Sequence, residues 1–212
     1  MMESIRNIYC IGRNYKLHAE ELGNEVPKEP LVFTKPTHAL ISASGTVKLP
    51  PNVGEIHHEI EIVLAIGRNL TTATEEEIAA LNVEDIVDKF ALGIDFTLRD
   101  VQNKLKEKGL PWLKAKGFKN SAVITPWQRF DLERLLNNDF SLQINDREVQ
   151  RGNIKEMIFD LKRMITYIAL NFGLGKGDII FTGTPNGVGP VQINDRLTLF
   201  FGDNSLGEFI VG

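Results

Sequence analysis

The chain has 212 residues, of which 42% are hydrophobic and 25% charged, and its 28 acidic against 24 basic side chains give a net charge of −4. That length supports one sizeable core, the composition is too apolar for a disordered chain, and the mild acidity leaves no footprint for nucleic acid or an anionic membrane. One cysteine, Cys10, excludes an intrachain disulfide and a thiolate metal cluster, as expected of a reducing compartment. With no basic-then-apolar leader and no apolar run of membrane-spanning length, a cytoplasmic protein folded as one domain over 1–212 is expected.

Residues 7–12 (NIYCIG) predict a short buried strand. A short helix over 14–22 follows, with Asn14 as its cap and Gly23, Asn24 and Pro27 ending it, and a polar connector runs on to 29. Strand-like pieces at 31–36 (LVFTKP) and 39–50 (ALISASGTVKLP) are broken by Pro36, Gly45, Pro50 and Pro51. The clearest strand is 57–67 (HHEIEIVLAIG), where Ile60, Ile62, Leu64 and Ile66 alternate along one face.

Helical spacing covers 74–88, with Thr74 and the acids after it suited to a helix start. A buried strand at 89–95 (KFALGID) and a helix at 97–109, stopped by Gly109, come next. Residues 130–150 predict a strand pair turning at Asn145-Asp146. The longest helix is expected over 153–173, from the spacing of Ile154, Met157, Ile158, Leu161, Ile165, Ile168 and Ala169. The tail alternates strand with the glycine-rich TGTPNGVG. Strands dominate and helices interrupt them irregularly, the pattern of an α+β, mainly β protein and not of a doubly wound parallel sheet.

Glu59 and Glu61 share one face of their strand because side chains alternate, which leaves their Cα atoms roughly 6.5–7 Å apart. Two carboxylates so spaced can share a cation, or they can lie on a solvated or salt-bridged face; spacing alone does not separate the two. That face runs His57, Glu59, Glu61, Val63, Ala65, from charged to apolar, which a merely solvated face would not do. Asp95, an acid at the end of the apolar run FALGI, adds a third carboxylate in a poor place for an uncompensated charge. Three carboxylates without cysteine make a hard oxygen site suited to Mg²⁺, Mn²⁺ or Ca²⁺. Adjacent His57 and His58 face opposite ways, so at most one can join, and His57 is better placed behind the ligands than among them. Arg99, four residues after Asp95, suits a salt bridge to that acid. TGTPNGVG lacks the closing Lys-Ser/Thr of a nucleotide-binding P-loop.

Taken in order, YCIGRNYKLHAEE, VFTKP, GEIHHEIEIVLAIG, ALGIDFTLRDVQ, KGLPW and GDIIFTGTPNGVGP resemble the fumarylacetoacetate hydrolase family over nearly the whole chain, nearest to its small acylpyruvase-like members. The resemblance implies a mixed β-roll of that family's C-terminal-domain type with a few peripheral helices, and a homodimer. It implies Mg²⁺ or Mn²⁺ on Glu59, Glu61 and Asp95. Arg99, Gln102 and Thr184 would bind substrate, Lys116 would act in catalysis, and a lid over 13–29 would carry His18 and Glu21. The last two, three apart on a helix, share a face, so the carboxylate can orient the imidazole as a general base.

The activity so implied is cleavage of the C3–C4 bond of a 2,4-dioxo acid to pyruvate and a carboxylic acid. Oxaloacetate decarboxylation and 2-hydroxyhepta-2,4-diene-1,7-dioate isomerisation are alternatives on the same site, and a non-catalytic protein binding a metal or a 2-oxo acid is the alternative of another class. The chain departs from the family where Gly117-Phe118-Lys119 replaces Ser-Phe-Asp, and at Asp160-Leu161-Lys162, where relatives often place a proline.

Overall fold

The computed structural model describes residues 5–21, 23 and 26–212. Among these, three sheets form, of eight, five and three strands. The large sheet runs Leu31–Lys35, Ile8–Gly12, Ile179–Phe181, Ile60–Ile66, Val87–Asp95, Ala122–Ile124, Leu40–Ser42, with Gln128–Arg129 also pairing on Val87–Asp95. Parallel and antiparallel pairs mix within it, so the mainly β α+β architecture expected from the sequence is the one formed.

One face of Ile60–Ile66 and Val87–Asp95 carries Ile60, Ile62, Leu64, Phe90, Leu92 and Ile94 into the main core, against Leu142, Leu197, Leu199 and Phe201 of the five-stranded sheet. The rings of Phe90 and Phe201 meet there at 5.0 Å. The other face carries Val63 and Ala91 into a second apolar cluster with Cys10, Ala122, Ile124 and Phe181. Strands buried on both faces lie at the centre of a sheet. Gly93 belongs to this close packing, since a Cβ there would sit 2.6 Å from the Phe181 ring and 2.7 Å from Val63.

The expected strand 57–67 divides at Glu59. Ile56–His58 pairs with Gly189–Pro190 and with Thr97–Leu98 in the small sheet, whereas Ile60–Ile66 pairs with Val87–Asp95 in the large one. Its neighbour divides at the same level, because Val87–Asp95 stops at Asp95 and Thr97–Leu98 joins the small sheet after Phe96. Two paired strands thus leave the large sheet side by side, and the Asp95 N–H still donates to the Glu59 carbonyl at 2.8 Å across the crossing.

Several helices are shorter than their apolar spacing suggests. The helix expected over 74–88 is only Glu75–Ala79, closed at its start by a reciprocal Thr74–Glu77 capping box, and the chain is back in a strand by Val87. In 153–173 Asn153 caps one separate turn, Ile154–Glu156, and the helix proper is Leu161–Phe172, begun by Asp160 accepting from the Arg163 N–H at 2.8 Å. That capping role accounts for the acid at the departure Asp160-Leu161. A helix at Leu132–Asn137, capped by Asp131, takes up the first part of the 130–150 stretch expected as a strand pair, and the pair itself is Phe140–Ile144 with Arg147–Gly152; spacing missed the helix because it is under two turns long. Among the described residues no helix is long and apolar enough to cross a membrane.

Asn14 does not cap the first helix, which is Lys16–Glu21; the expected stop at Asn24 lies outside the described residues. It is wholly buried, its side-chain N–H groups donating to the carbonyls of Phe159 (3.1 Å) and Thr182 (2.9 Å), while its oxygen accepts from the Phe159 N–H at 2.8 Å. One side chain therefore ties the start of the Lys16–Glu21 segment to two distant loops. Asn14→Ala would strand those buried backbone groups, and we expect it to cost about 3 kcal/mol in urea unfolding.

Candidate active site

The strand crossing brings the three acids together. Carboxylate oxygens of Glu59, Glu61 and Asp95, all buried, lie within 4.8 Å of one another. Two of them are neutralised by the protein's own cations. Lys116 Nζ donates to Glu59 Oε2 and Asp95 Oδ2, both at 2.7 Å, Lys35 Nζ pairs with Asp95 Oδ1 at 2.6 Å, and Arg99 Nη2 donates to Glu59 Oε1. Burial would raise the Glu59 pKa, yet the Lys116 and Arg99 charges hold it far below the ordinary carboxylate range. Burial likewise opposes the Lys116 charge, and Asp95 and Glu59 override it to hold the ammonium above the usual lysine range.

Glu61 differs. Among the described residues its hydrogen-bond donor is the Gly183 N–H at 2.7 Å, and no basic side chain pairs with it. Burial and then the nearby Asp95 charge push its carboxyl well above the ordinary value. A buried carboxylate beside two others, with no cation of its own, is the environment a divalent ion fits. The donor set is all hard oxygen, so the residues present suit Mg²⁺ or Mn²⁺.

Gly183 (φ 97°) belongs to the glycine-rich loop, and a Cβ there would sit 2.7 Å from Asn14 Cβ. The same loop presents Thr184, whose hydroxyl accepts from Gln150 Nε2 at 2.9 Å. Gln150 also accepts from the Ile60 N–H (3.1 Å) and lies 2.9 Å from His58 Nδ1, so it clamps the strand just past Glu59. His57 stands behind Arg99. Its Nδ1 accepts from Arg99 Nε at 3.3 Å, which leaves the proton on Nε2, 3.0 Å from Glu55. Arg99 therefore pairs with Glu59 and not with Asp95, and its other nitrogen donates to Gln102 Oε1 at 2.7 Å.

Over the acids sits the helix Lys16–Glu21. His18 is buried, with Nδ1 3.6 Å from Glu21 Oε2, too far for a hydrogen bond, while the Glu21 carboxylate accepts from the Gly187 N–H at 3.1 Å and so fastens the helix to the glycine-rich loop. Burial lowers the His18 pKa, and the Lys116 charge works in the same direction. His18, the three acids, Arg99, Gln102, Lys116 and Thr184 line one cavity with Ile11, Arg13, Phe33, Lys106 and Trp112. It encloses only about 30 Å³, room for about one water, with Arg99 and Lys116 engaged on the carboxylates.

With this geometry in hand, residues 7–208 match the fumarylacetoacetate (FAA) hydrolase C-terminal family. The chain belongs to the fumarylacetoacetate hydrolase family. Among its relatives, the oxaloacetate tautomerase YcgM of Escherichia coli K12 is 38% identical over 205 residues, 95% of this chain and 91% of that one. A mitochondrial oxaloacetate decarboxylase of Dictyostelium discoideum is 39% identical over 192 residues, 90% of this chain and 86% of that one. Among solved structures, fumarylpyruvate hydrolase from Pseudomonas aeruginosa, in complex with Mn²⁺ and pyruvate, superposes with a TM-score of 0.86 at 34% identity, covering 98% of this chain and 89% of that one.

Every site residue singled out in the sequence of this fumarylacetoacetate hydrolase family member lines the cavity except Glu21, which reaches it through His18. Burial separates Lys116 from its cluster, since Lys114 and Lys119 are exposed. The departure at Gly117 is a packing matter: a Cβ there would lie 2.6 Å from the Leu113 side chain and 2.8 Å from Pro36. Lys35, Gln150, Arg13 and Lys106 were not singled out. Lys35 stands in the motif VFTKP, where a lysine between apolar strand residues and a proline is the signal for a buried ammonium.

Lys35 also donates to the carbonyls of Phe96 (3.3 Å) and Lys116 and to Ser121 Oγ (3.1 Å). Lys35→Met leaves Asp95 and these carbonyls short of a donor, and we expect a loss of about 3–5 kcal/mol in stability, read by thermal unfolding of the metal-free protein.

Proposed function

We propose that this protein is a Mg²⁺- or Mn²⁺-dependent enzyme acting on oxaloacetate and related small 2-oxo acids, with keto–enol tautomerisation of oxaloacetate as its main reaction. The observation that carries this reading is Glu61, a buried carboxylate without a cation partner among the described residues, in one cavity with the buried His18. The names of the relatives move oxaloacetate ahead of the C3–C4 hydrolysis that the sequence put first.

A divalent ion held by Glu59, Glu61 and Asp95 would supply Lewis-acid polarisation of the 2-oxo group. His18 then takes a proton from C3, and the carboxylate of Glu21 offsets the imidazolium charge so formed. Negative charge gathers on the oxygen at C2, which Lys116 faces with its ammonium once displaced from Glu59 and Asp95. Returning the His18 proton to that oxygen completes the enol. The lid helix, pinned by Glu21 to Gly187, excludes water meanwhile.

A second reading, oxaloacetate decarboxylation, is favoured by the Dictyostelium relative and needs the same residues. There the C3–C4 bond breaks, CO₂ leaves with neither electron of that bond, and C3 of the resulting pyruvate enolate takes a proton from water, which His18 is placed to relay.

Four measurements test the proposal. Enol oxaloacetate, followed by its ultraviolet absorbance, should decay fast with Mg²⁺ and slowly with EDTA; pyruvate release from acetylpyruvate alone, without oxaloacetate turnover, would return C3–C4 hydrolysis to first place, and turnover of neither would leave a binding protein. Glu59→Gln with Glu61→Gln should abolish calorimetric Mg²⁺ binding and turnover together. His18→Ala should lower kcat by about 10²–10⁴-fold. Because burial lowers the His18 pKa, its basic form persists as pH falls past the ordinary value of 6.5, so the acid limb of kcat/KM should inflect below that pH. An inflection above it would remove His18 as the base.

A further inference from the structure

Arg13 is held in place by its neighbours. Gly12 ends the strand Ile8–Gly12, and Asn14 is fixed by three buried hydrogen bonds, so the residue between them is locked on both sides. Its backbone lies in the left-handed region at φ 57°, where glycine or asparagine sits more easily than arginine. An arginine is thus kept on a strained, rigidly based turn at the wall of the cavity.

The charges around it point to what it meets. The acids of the cavity wall, Glu59, Glu61 and Asp95, are all buried in the carboxylate cluster, where Arg99 and Lys116 already engage two of them. Arg13 makes no ion pair or side-chain hydrogen bond with any described residue. Lys106, from the helix Arg99–Glu107, lines the same wall. Burial and then the Arg13 charge lower the Lys106 pKa, which places the two cations within electrostatic reach of each other. The same cavity wall carries the apolar pair Phe33–Trp112, whose rings are 5.8 Å apart.

We propose that Arg13, with Lys106 beside it, binds the second carboxylate of a 2-oxo dicarboxylate and so selects dicarboxylates over 2-oxo acids with an apolar tail. This rests on the 2-oxo acid reading above and adds the substrate class. An anion between two like charges relieves their repulsion, and a guanidinium grips a carboxylate through two parallel hydrogen bonds. A methyl group in the same place would offer the Arg13 guanidinium no acceptor.

The test compares two four-carbon ligands that differ only at the far end, oxaloacetate and 2-oxobutanoate, on the Mg²⁺-loaded protein. Oxaloacetate is followed by its KM and kcat, and 2-oxobutanoate by its competitive Ki and by calorimetry. Arg13→Gly suits φ 57° better than arginine does, so the variant folds, with its melting temperature as the control. Its KM for oxaloacetate should rise at least about tenfold with kcat little changed, while 2-oxobutanoate binds as before. Lys106→Gln should act in the same direction more weakly, and Arg13→Lys should recover part of the loss. An unchanged oxaloacetate KM in Arg13→Gly, or an equal loss for both ligands, overturns the subsite. Wild-type protein that binds the two ligands equally refutes the subsite alone, whereas wild-type protein that binds neither refutes the 2-oxo acid reading and the subsite with it.

Discussion

Three carboxylates whose oxygens lie within 4.8 Å of one another, all shielded from water, would repel one another strongly enough to open the structure unless positive charge were brought to them. Much of the surrounding architecture answers that need. The strand Leu31–Lys35 delivers Lys35 and the turn Leu113–Lys116 delivers Lys116, both to Asp95, while the helix Arg99–Glu107 begins with Arg99 on Glu59. The answer is incomplete at Glu61, which has a backbone N–H and, among the described residues, no cation. Stability and chemistry meet at that shortfall, because a carboxylate left wanting a positive charge is one prepared for an ion.

The backbone makes the cluster possible. Ile60–Ile66 and Val87–Asp95 are central strands packed on both faces, which fixes their ends firmly. At those ends both chains leave for the small sheet together, and the ladder between them is interrupted while its last bond, from Asp95 to Glu59, is kept. Acids placed at such a crossing stand on rigid supports without lying inside an apolar layer. The glycines of the site serve the same end, since Gly93 and Gly183 occupy positions where a Cβ would collide with the packed neighbours.

Residue patterns made much of this legible. The acidic-to-apolar turn along Glu59, Glu61, Val63 reappears as a face that runs from the carboxylate cluster into the second apolar core. Asp95 was suspect because it closes an apolar run, and it is fully buried. Where the reading failed, the cause was local chemistry prevailing over period. Capping residues Thr74, Asn153 and Asp160 broke helical spacing into shorter pieces, and Asn14, a natural helix cap, was drawn instead into long-range hydrogen bonds.

By itself the sequence determined the residue types of the site, the alternation that puts Glu59 and Glu61 on one face, and through its ordered motifs the family. Each of these follows from chemical identity or short-range geometry. The tertiary structure alone decided which cations meet which acids: Lys116 over Lys114 and Lys119, Arg99 on Glu59 instead of Asp95, and Lys35 and Arg13 at the site at all. Those pairings depend on how strands and helices far apart in the chain are stacked, and a charge on a flexible side chain carries no mark of its partner until that stacking sets the distance.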